Sequence, residues 1–415
     1  MQRPTDPRTR IAALVAAACL AGLIAAGTLW PMPNATLPAE GLCLICGSLG
    51  GIDFVANVAF FVPLGVALRL AGVPGWLTVT ACATLSGTVE VLQWQFVVGR
   101  HGSVGDVVSN AIGGAVGAWF VANWARVFQR PSRHNALVAA QISTVGLVLF
   151  GGVAAWALRP APPDLIYWSQ WTPVRGGYAP FTGALDRLSL YGEELPNGAE
   201  VDPTREDPPY RGGLLEIGMR IRPASPAEGT MLIARLGNPV GEQFQIAQQE
   251  SNLIFRSRRN ASNLALRSPS LGLRNALGGY PAVPREFAMA VSGSNVRFAS
   301  NGPPSVTPKT VEARVTIGLF WQSLAPYEAS SLGLNGVMRG VLLLLCLFPL
   351  SFWTTRATER WLSYAWCGAA AFALVVLSPA FMGISVGGWP EGVGALAGIF
   401  GGRLAGGQSL ARQEL

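Results

Sequence analysis

The chain predicts an α-helical polytopic membrane protein of seven to eight spans, with an all-β, jelly-roll-like sandwich inserted outside the membrane. Three observations carry this. Half of the 415 residues are hydrophobic and only 13% are charged, against about 25% charged in soluble proteins. Apolar runs near the ~20 residues a bilayer requires recur before residue 158 and after residue 331. Between them the pattern turns to short alternating stretches broken by Gly, Pro, Asn and Ser, which is the signature of a β-sandwich.

Residues 1–10 are polar and carry Arg3, Arg8 and Arg10, ahead of an apolar run over 11–30. The flanks suit a signal peptide. No convincing A-x-A cleavage site precedes Pro31, so the run reads as an uncleaved first span. Further runs at 52–71, 75–98, 105–124 and 136–158 complete an N-terminal membrane domain of five spans, residues 1–158. Residues 159–164, Arg-Pro-Ala-Pro-Pro-Asp, form a stiff linker.

Over 165–330 no run is long enough to span. Leu215, Ile217, Met219 and Ile221 alternate with Glu216, Gly218, Arg220 and Arg222. Leu232, Ala234 and Leu236, then Phe244 and Ile246, repeat the rhythm. Phe287, Met289 and Val291 precede a Ser-Gly-Ser-Asn turn, after which Val296 and Phe298 resume. Val315, Ile317 and Leu319 close the set as a last strand. Residues 331–404 hold the C-terminal membrane helices, with runs at 332–352 and 362–381. A short glycine-rich run at 393–404 is a thin span or a re-entrant segment. Residues 405–415 form a cytoplasmic tail.

The net charge is +7, and Lys309 is the only lysine. Such basicity raises nucleic-acid binding. The arginines fall between apolar runs and make no basic patch, which excludes that partner and marks them as topology signals. They place the N-terminus in the cytoplasm and the sandwich outside. Arg100 alone breaks the rule, which singles it out as a functional cation. Cys43 and Cys46 form a C-x-x-C without a thioredoxin-like setting, so packing or a simple disulfide is expected. His101 and His134 are too few for a histidine metal site. No metal site and no cofactor is identified.

Three polar pairs interrupt the apolar runs: Asp53/Asn57, Glu90/Gln93 and Asp106/Asn110. A charge at mid-membrane costs ~2.5–3.5 kcal/mol or more, so these groups pair or work. By depth, all three crowd the outer leaflet. Ser86, Glu90 and Gln93 share one helix face, as do Asp106, Asn110, Gly113 and Gly117. Glu90 is the candidate ligand or proton site, or a structural partner of Arg100 or Gln93. Arg100 is the candidate anion contact. Asp53 and Asp106 suit helix N-termini, and Asn57 and Asn110 suit interhelical hydrogen bonds. Gly113-x-x-x-Gly117 admits a neighbouring backbone. Pro63 is expected to kink its helix and open a pocket.

Together, Asp53, Asn57, the Phe60-Phe61-Val62-Pro63-Leu64-Gly65 run, Ser86, Glu90, Gln93, Arg100, Ser103, Asp106, Asn110, Gly113 and Gly117 resemble the VanZ-like family of membrane proteins, over residues 52–122. The resemblance implies a bacterial inner-membrane setting and a link to resistance to the glycopeptide teicoplanin; it supplies no reaction. The stretch 213–258 is similar to concanavalin A-like or laminin-G-like sandwiches, which implies glycan contact.

Three functions follow. The first is binding or handling of an envelope lipid, lipid-linked glycan or glycopeptide in an outer-leaflet polar pocket, with the bilayer and a lipid-linked glycan or sugar as partners. The second is an integral-membrane enzyme using Glu90 as acid or base, or Asp53, Glu90 and Asp106 around a divalent cation. A proton-coupled transporter is disfavoured, because the polar groups do not reach the inner leaflet.

Overall fold

The computed structural model describes residues 6–29, 49–97, 102–124, 132–162, 166–175, 178–202, 214–226, 229–239, 241–278, 283–301, 309–325 and 332–411. The chain forms two compact units, residues 1–135 and 136–415.

The first unit holds α1 (Pro7–Thr28), α2 (Gly50–Leu70), α3 (Gly75–Phe96) and α4 (Val104–Trp124). Asp6 caps α1 by accepting the Arg8 N–H, and Pro7 opens it, a position where proline loses nothing. α2 runs unbroken through Pro63, which lies exposed. α4 packs between α2 and α3. A Cβ on Gly113 would strike the Val58 carbonyl and the Phe61 Cβ of α2, and one on Gly117 the Val62 carbonyl and Val66 N. On its other side Gly114 abuts Cys82 of α3. The Gly113-x-x-x-Gly117 spacing therefore does what it implies, and backbones meet where side chains are missing.

The second unit begins with α5 (Arg133–Ala157) and ends with α7 (Leu332–Ala357), α8 (Arg360–Phe372), α9 (Ser378–Met382) and α10 (Trp389–Ala411). α8 passes into α9 through a π-helical turn at Ala373–Leu377. Among the described residues six helices are long and apolar enough to cross a membrane: α1, α2, α4, α5, α7 and the α8–α9 stretch. α3 and α10, of 22 and 23 residues, match them in length but are less apolar. The glycine-rich run is one continuous helix, ~35 Å long at 1.5 Å per residue. Its glycines recur every fourth residue: Gly394 meets the Gly340 backbone, Gly398 that of Leu344, Gly402 that of Phe348 and Gly406 that of Phe352.

Between α5 and α7 the described residues form two six-stranded antiparallel sheets. With β1 (Tyr167–Trp171), β2 (Ala184–Leu190), β3 (Glu193–Glu194), β4 (Glu200–Val201), β5 (Leu214–Arg222), β6 (Thr230–Gly237), β7 (Glu242–Gln249), β8 (Asn252–Ser257), β9 (Ser270–Leu273), β10 (Arg285–Ser292), β11 (Asn295–Asn301) and β12 (Lys309–Arg314), the orders are β4-β1-β6-β7-β8-β9 and β12-β11-β10-β5-β2-β3. The sheets face each other. Phe255 of β8 meets Phe298 of β11 edge-on, with centroids 6.4 Å apart. In β5 the alternating Leu215, Ile217, Met219 and Ile221 are buried, as the pattern requires. β6 is buried along its whole length, so its alternation does not mark an exposed face. Val315–Leu319 is not a strand. Ile317–Leu319 is a 3-10 turn leading into the short α6 (Phe320–Ser323), and every residue from Val315 to Phe320 is buried. A strand with one wet face has no place there, because the segment is enclosed on all sides.

That segment belongs to the junction between sandwich and helices. The β10–β11 turn reaches down to the helix ends. Its Gly293 carbonyl accepts from Arg259 Nη1 at 2.9 Å, and Ser294 Oγ lies 2.9 Å from Ser385 Oγ. Arg259 is fully buried and also donates to the Leu158 carbonyl at the end of α5, at 3.2 Å. Burial pulls its pKa down to about 10. It therefore stays cationic at neutral pH, where a positive charge suits a helix C-terminus. Pro160 bridges Arg259 and the Ala161 N–H reaches the Arg258 carbonyl, so the described part of the 159–164 linker is docked. On the other side, Glu391 in the first turn of α10 is wholly buried. Its carboxylate accepts from Arg339 Nε and Nη2 of α7 at 2.7 and 2.8 Å, from Thr316 Oγ1 at 2.5 Å and from the N–H of Gly388, the residue before α10, at 3.1 Å. One side chain thus ties the end of the sandwich to two helices.

Removing one partner of such a pair leaves a buried charge alone. Glu391→Gln should therefore destabilise the protein by roughly 3–5 kcal/mol, whereas replacing Arg339 and Glu391 together by methionine should cost far less. Thermal unfolding of the purified protein checks this. Equal melting temperatures for wild type and Glu391→Gln would show that the pair does not hold the junction.

Candidate functional site

The polar end of the first unit is built on the start of α4. Ser103, the residue before α4, accepts the Asp106 N–H on its Oγ at 3.2 Å. This is an N-cap, and it satisfies one of the four free N–H groups of the helix start. The Ser103 N–H itself donates to Glu90 Oε2 of α3 at 2.7 Å. The Glu90 carboxylate, only 7% exposed, therefore lies against a helix N-terminus, where backbone N–H groups and the macrodipole favour an anion. This is how an acid survives in the apolar bundle.

One turn along α3, Ser86 Oγ accepts from Asn110 Nδ2 at 2.8 Å. Another turn along, Cys82 packs on Gly114. Glu90–Ser103, Ser86–Asn110 and Cys82–Gly114 are thus rungs between two antiparallel helices. Asn110 Oδ1 is buried without a hydrogen-bond partner among the described residues. At the same end, Gln93 Nε2 donates to the Thr28 carbonyl at 2.8 Å, tying α3 to the last turn of α1.

α2 joins at the same level but differently. The Val58–Gly113 and Val62–Gly117 contacts share one offset, and extending it puts Asp53 level with Val108 and Asn57 level with Ile112. Asp53 is exposed and Asn57 half-buried. Of the seven expected binding residues, Glu90, Gln93 and Asn110 are buried in the interfaces, Asp106 is half-buried at the first turn of α4, and Asp53 and Asn57 stand at the rim. Arg100 lies outside the described residues, as do His101, Cys43 and Cys46.

The divalent-cation expectation is corrected. Among the described residues no three His, Cys, Asp or Glu side chains gather as metal ligands, and Asp53 sits on the exposed side of α2 while Glu90 is enclosed between α3 and α4. Trp353, at the end of an apolar run, is 6% exposed and packs edge-on against Phe352, and Trp168 of the sandwich is 39% exposed.

Sequence reasoning missed the Thr28 carbonyl, which no side-chain pattern reveals. It also missed Arg339, Glu391 and Arg259. For Arg339 the signal was present: an arginine seven residues into an apolar run is as anomalous as Glu90.

Residues 4–126 match the family model described as VanZ/LLP1, so the first unit carries a VanZ-like domain. The chain matches no curated protein and no solved structure.

The glycine contacts set this geometry, so they are the place to test it. Gly117→Leu would drive a side chain into the α2 backbone and should cost at least the ~1–3 kcal/mol of an overpacked core. Gly87→Leu on α3, where a Cβ meets nothing within 4 Å, should be nearly neutral. Yield and melting temperature in detergent distinguish them, and equal behaviour of the two variants would refute the α2–α4 packing.

Proposed function

We propose that the VanZ-like domain formed by residues 4–126 binds or handles an envelope lipid, lipid-linked glycan or glycopeptide at its polar helix ends. The family relates to glycopeptide resistance in general, and the finer reading rests on one observation. The Glu90 carboxylate is buried at the α4 N-terminus beside Ser86 and Asn110, whose Oδ1 is uncommitted among the described residues. A buried acceptor without a donor costs about 1–3 kcal/mol. A hydroxyl- or amide-rich ligand would offset that cost. Asp53, Asn57 and Asp106 would line the rim, and Arg100 would meet the anionic part of the ligand.

The topology that goes with this reading has eight spans, counting α3 and α10 with the six apolar helices. The N-terminus is cytoplasmic, the polar ends of α2, α3 and α4 lie in the outer leaflet of a bacterial inner membrane, and the sandwich is extracytoplasmic. The end of α5, the start of α10 and the loop before it all meet the sandwich, which supports a common membrane face for them. For the sandwich, a concanavalin A-like or laminin-G-like jelly roll remains the proposed type, and exposed Trp168 is its candidate sugar-stacking ring.

The alternative, an enzyme with Glu90 as acid or base, is favoured by the burial of that carboxylate, which is how catalytic acids are tuned. Glu90→Gln separates the two. The amide still accepts from the Ser103 N–H, so folding should persist. Retention of lipid-linked glycan by the purified protein, read by mass spectrometry, should then fall roughly tenfold, as expected for loss of one charge-assisted hydrogen bond. Full retention with loss of turnover would favour the enzyme, and full retention with unchanged chemistry would remove Glu90 from both.

A further inference from the structure

A 3-10 turn of the sandwich, Asn260–Leu264, follows β8 and stands on the last turn of α5. Asn260 Nδ2 donates to the Trp156 carbonyl at 3.2 Å, and the Asn260 N–H donates to the Arg159 carbonyl at 2.9 Å. The turn is held from its other side as well. Ala261 and Leu266 are buried, and the Leu266 N–H returns to the Ala261 carbonyl at 3.0 Å. Ser262, Asn263 and Leu264 are left outward and exposed.

The helix beneath is apolar and long enough to cross a membrane. Ile142, Val145, Leu149 and Val153 of α5 are exposed, and their spacing puts them on one face. Half-buried Trp156 is next on that stripe, and exposed Arg159 follows it. The Trp156 carbonyl is one of the last four of α5, which have no partner within the helix and point past its end. Asn260 satisfies it on the side of the stripe. The turn therefore overhangs the lipid-facing side of α5.

Depth follows from the same contacts. Tryptophan and arginine at the end of a span stand where hydrocarbon gives way to headgroups. The headgroup layer is ~5–7 Å thick on each side of a bilayer, and the turn begins one hydrogen bond above Trp156. An exposed leucine alone on a soluble domain means little. Leu264 is fixed at headgroup height beside polar Ser262 and Asn263 and near a cation, which is the make-up of an interfacial segment.

We propose that this turn docks the sandwich on the surface of the adjoining leaflet, with Leu264 between the lipid headgroups and Arg159 beside their phosphates. The contact is independent of the Glu90 cluster and of which side of the membrane carries the sandwich.

Full-length protein with the photo-crosslinking residue p-benzoylphenylalanine in place of Leu264, Arg159 or Glu286 is reconstituted in vesicles of phosphatidylethanolamine and phosphatidylglycerol. It is then irradiated, and its adducts are read by mass spectrometry. Glu286 is exposed on β10, ~23 Å of strand from the Gly293 turn at 3.3 Å per residue, and serves as the control. Lipid adducts should form at positions 264 and 159 and be absent at 286. Should the Leu264 variant fail to fold, exposed Asn263 takes the same probe with the same expected adduct. Absence of lipid adducts at 159, or at both 263 and 264, would overturn the proposal. So would equal lipid adducts at 264 and 286, or adducts to protein in place of lipid at 264.

Discussion

Backbone meeting backbone at glycine is the constraint on which both units rest. In the first, Gly113, Gly114 and Gly117 let α4 touch α2 on one side and α3 on the other. In the second, Gly394, Gly398, Gly402 and Gly406 lay α10 along α7. Helices in an apolar solvent gain nothing from hiding apolar side chains, so close packing and hydrogen bonds must hold them. Each glycine series fixes a register, and the register decides which polar groups face each other. Glu90 reaches Ser103 because Cys82 abuts Gly114. Glu391 reaches Arg339 because Gly394 lies on Gly340.

The buried charges are then stabilised in three ways. Glu90 lies on a helix N-terminus and accepts the Ser103 N–H. Glu391 takes a bidentate arginine, a threonine hydroxyl and the N–H of its own helix cap. Arg259 satisfies itself on carbonyls, one of them at the C-terminus of α5. The last two are fully enclosed and join elements, so they read as structure. Glu90 differs, because its neighbour Asn110 keeps an acceptor to spare. That difference in hydrogen-bond satisfaction distinguishes a candidate site from a rivet.

Much of this could be read along the chain. The apolar runs anticipate the long helices, and the polar pairs at three- and four-residue spacing anticipate the buried face of α3 and α4. The β5, β10 and β11 alternations anticipate the second sheet, including the turn at Gly293 and Ser294. One misreading has a plain cause. Val315, Ile317 and Leu319 alternate as a strand does, yet the segment is enclosed on every side and curls into a 3-10 turn.

By itself the sequence determined which segments enter lipid, which fold as strands and which residues are too polar for their surroundings, since these follow from local composition and from the 3.6- and two-residue periods. Only the tertiary structure decided the partners. Arg339 and Glu391 are 52 positions apart, and Arg259 and Leu158 are 101. No periodicity encodes such a pairing, because it arises where separate helices come into register and a charge withdrawn from water takes the nearest group able to meet it.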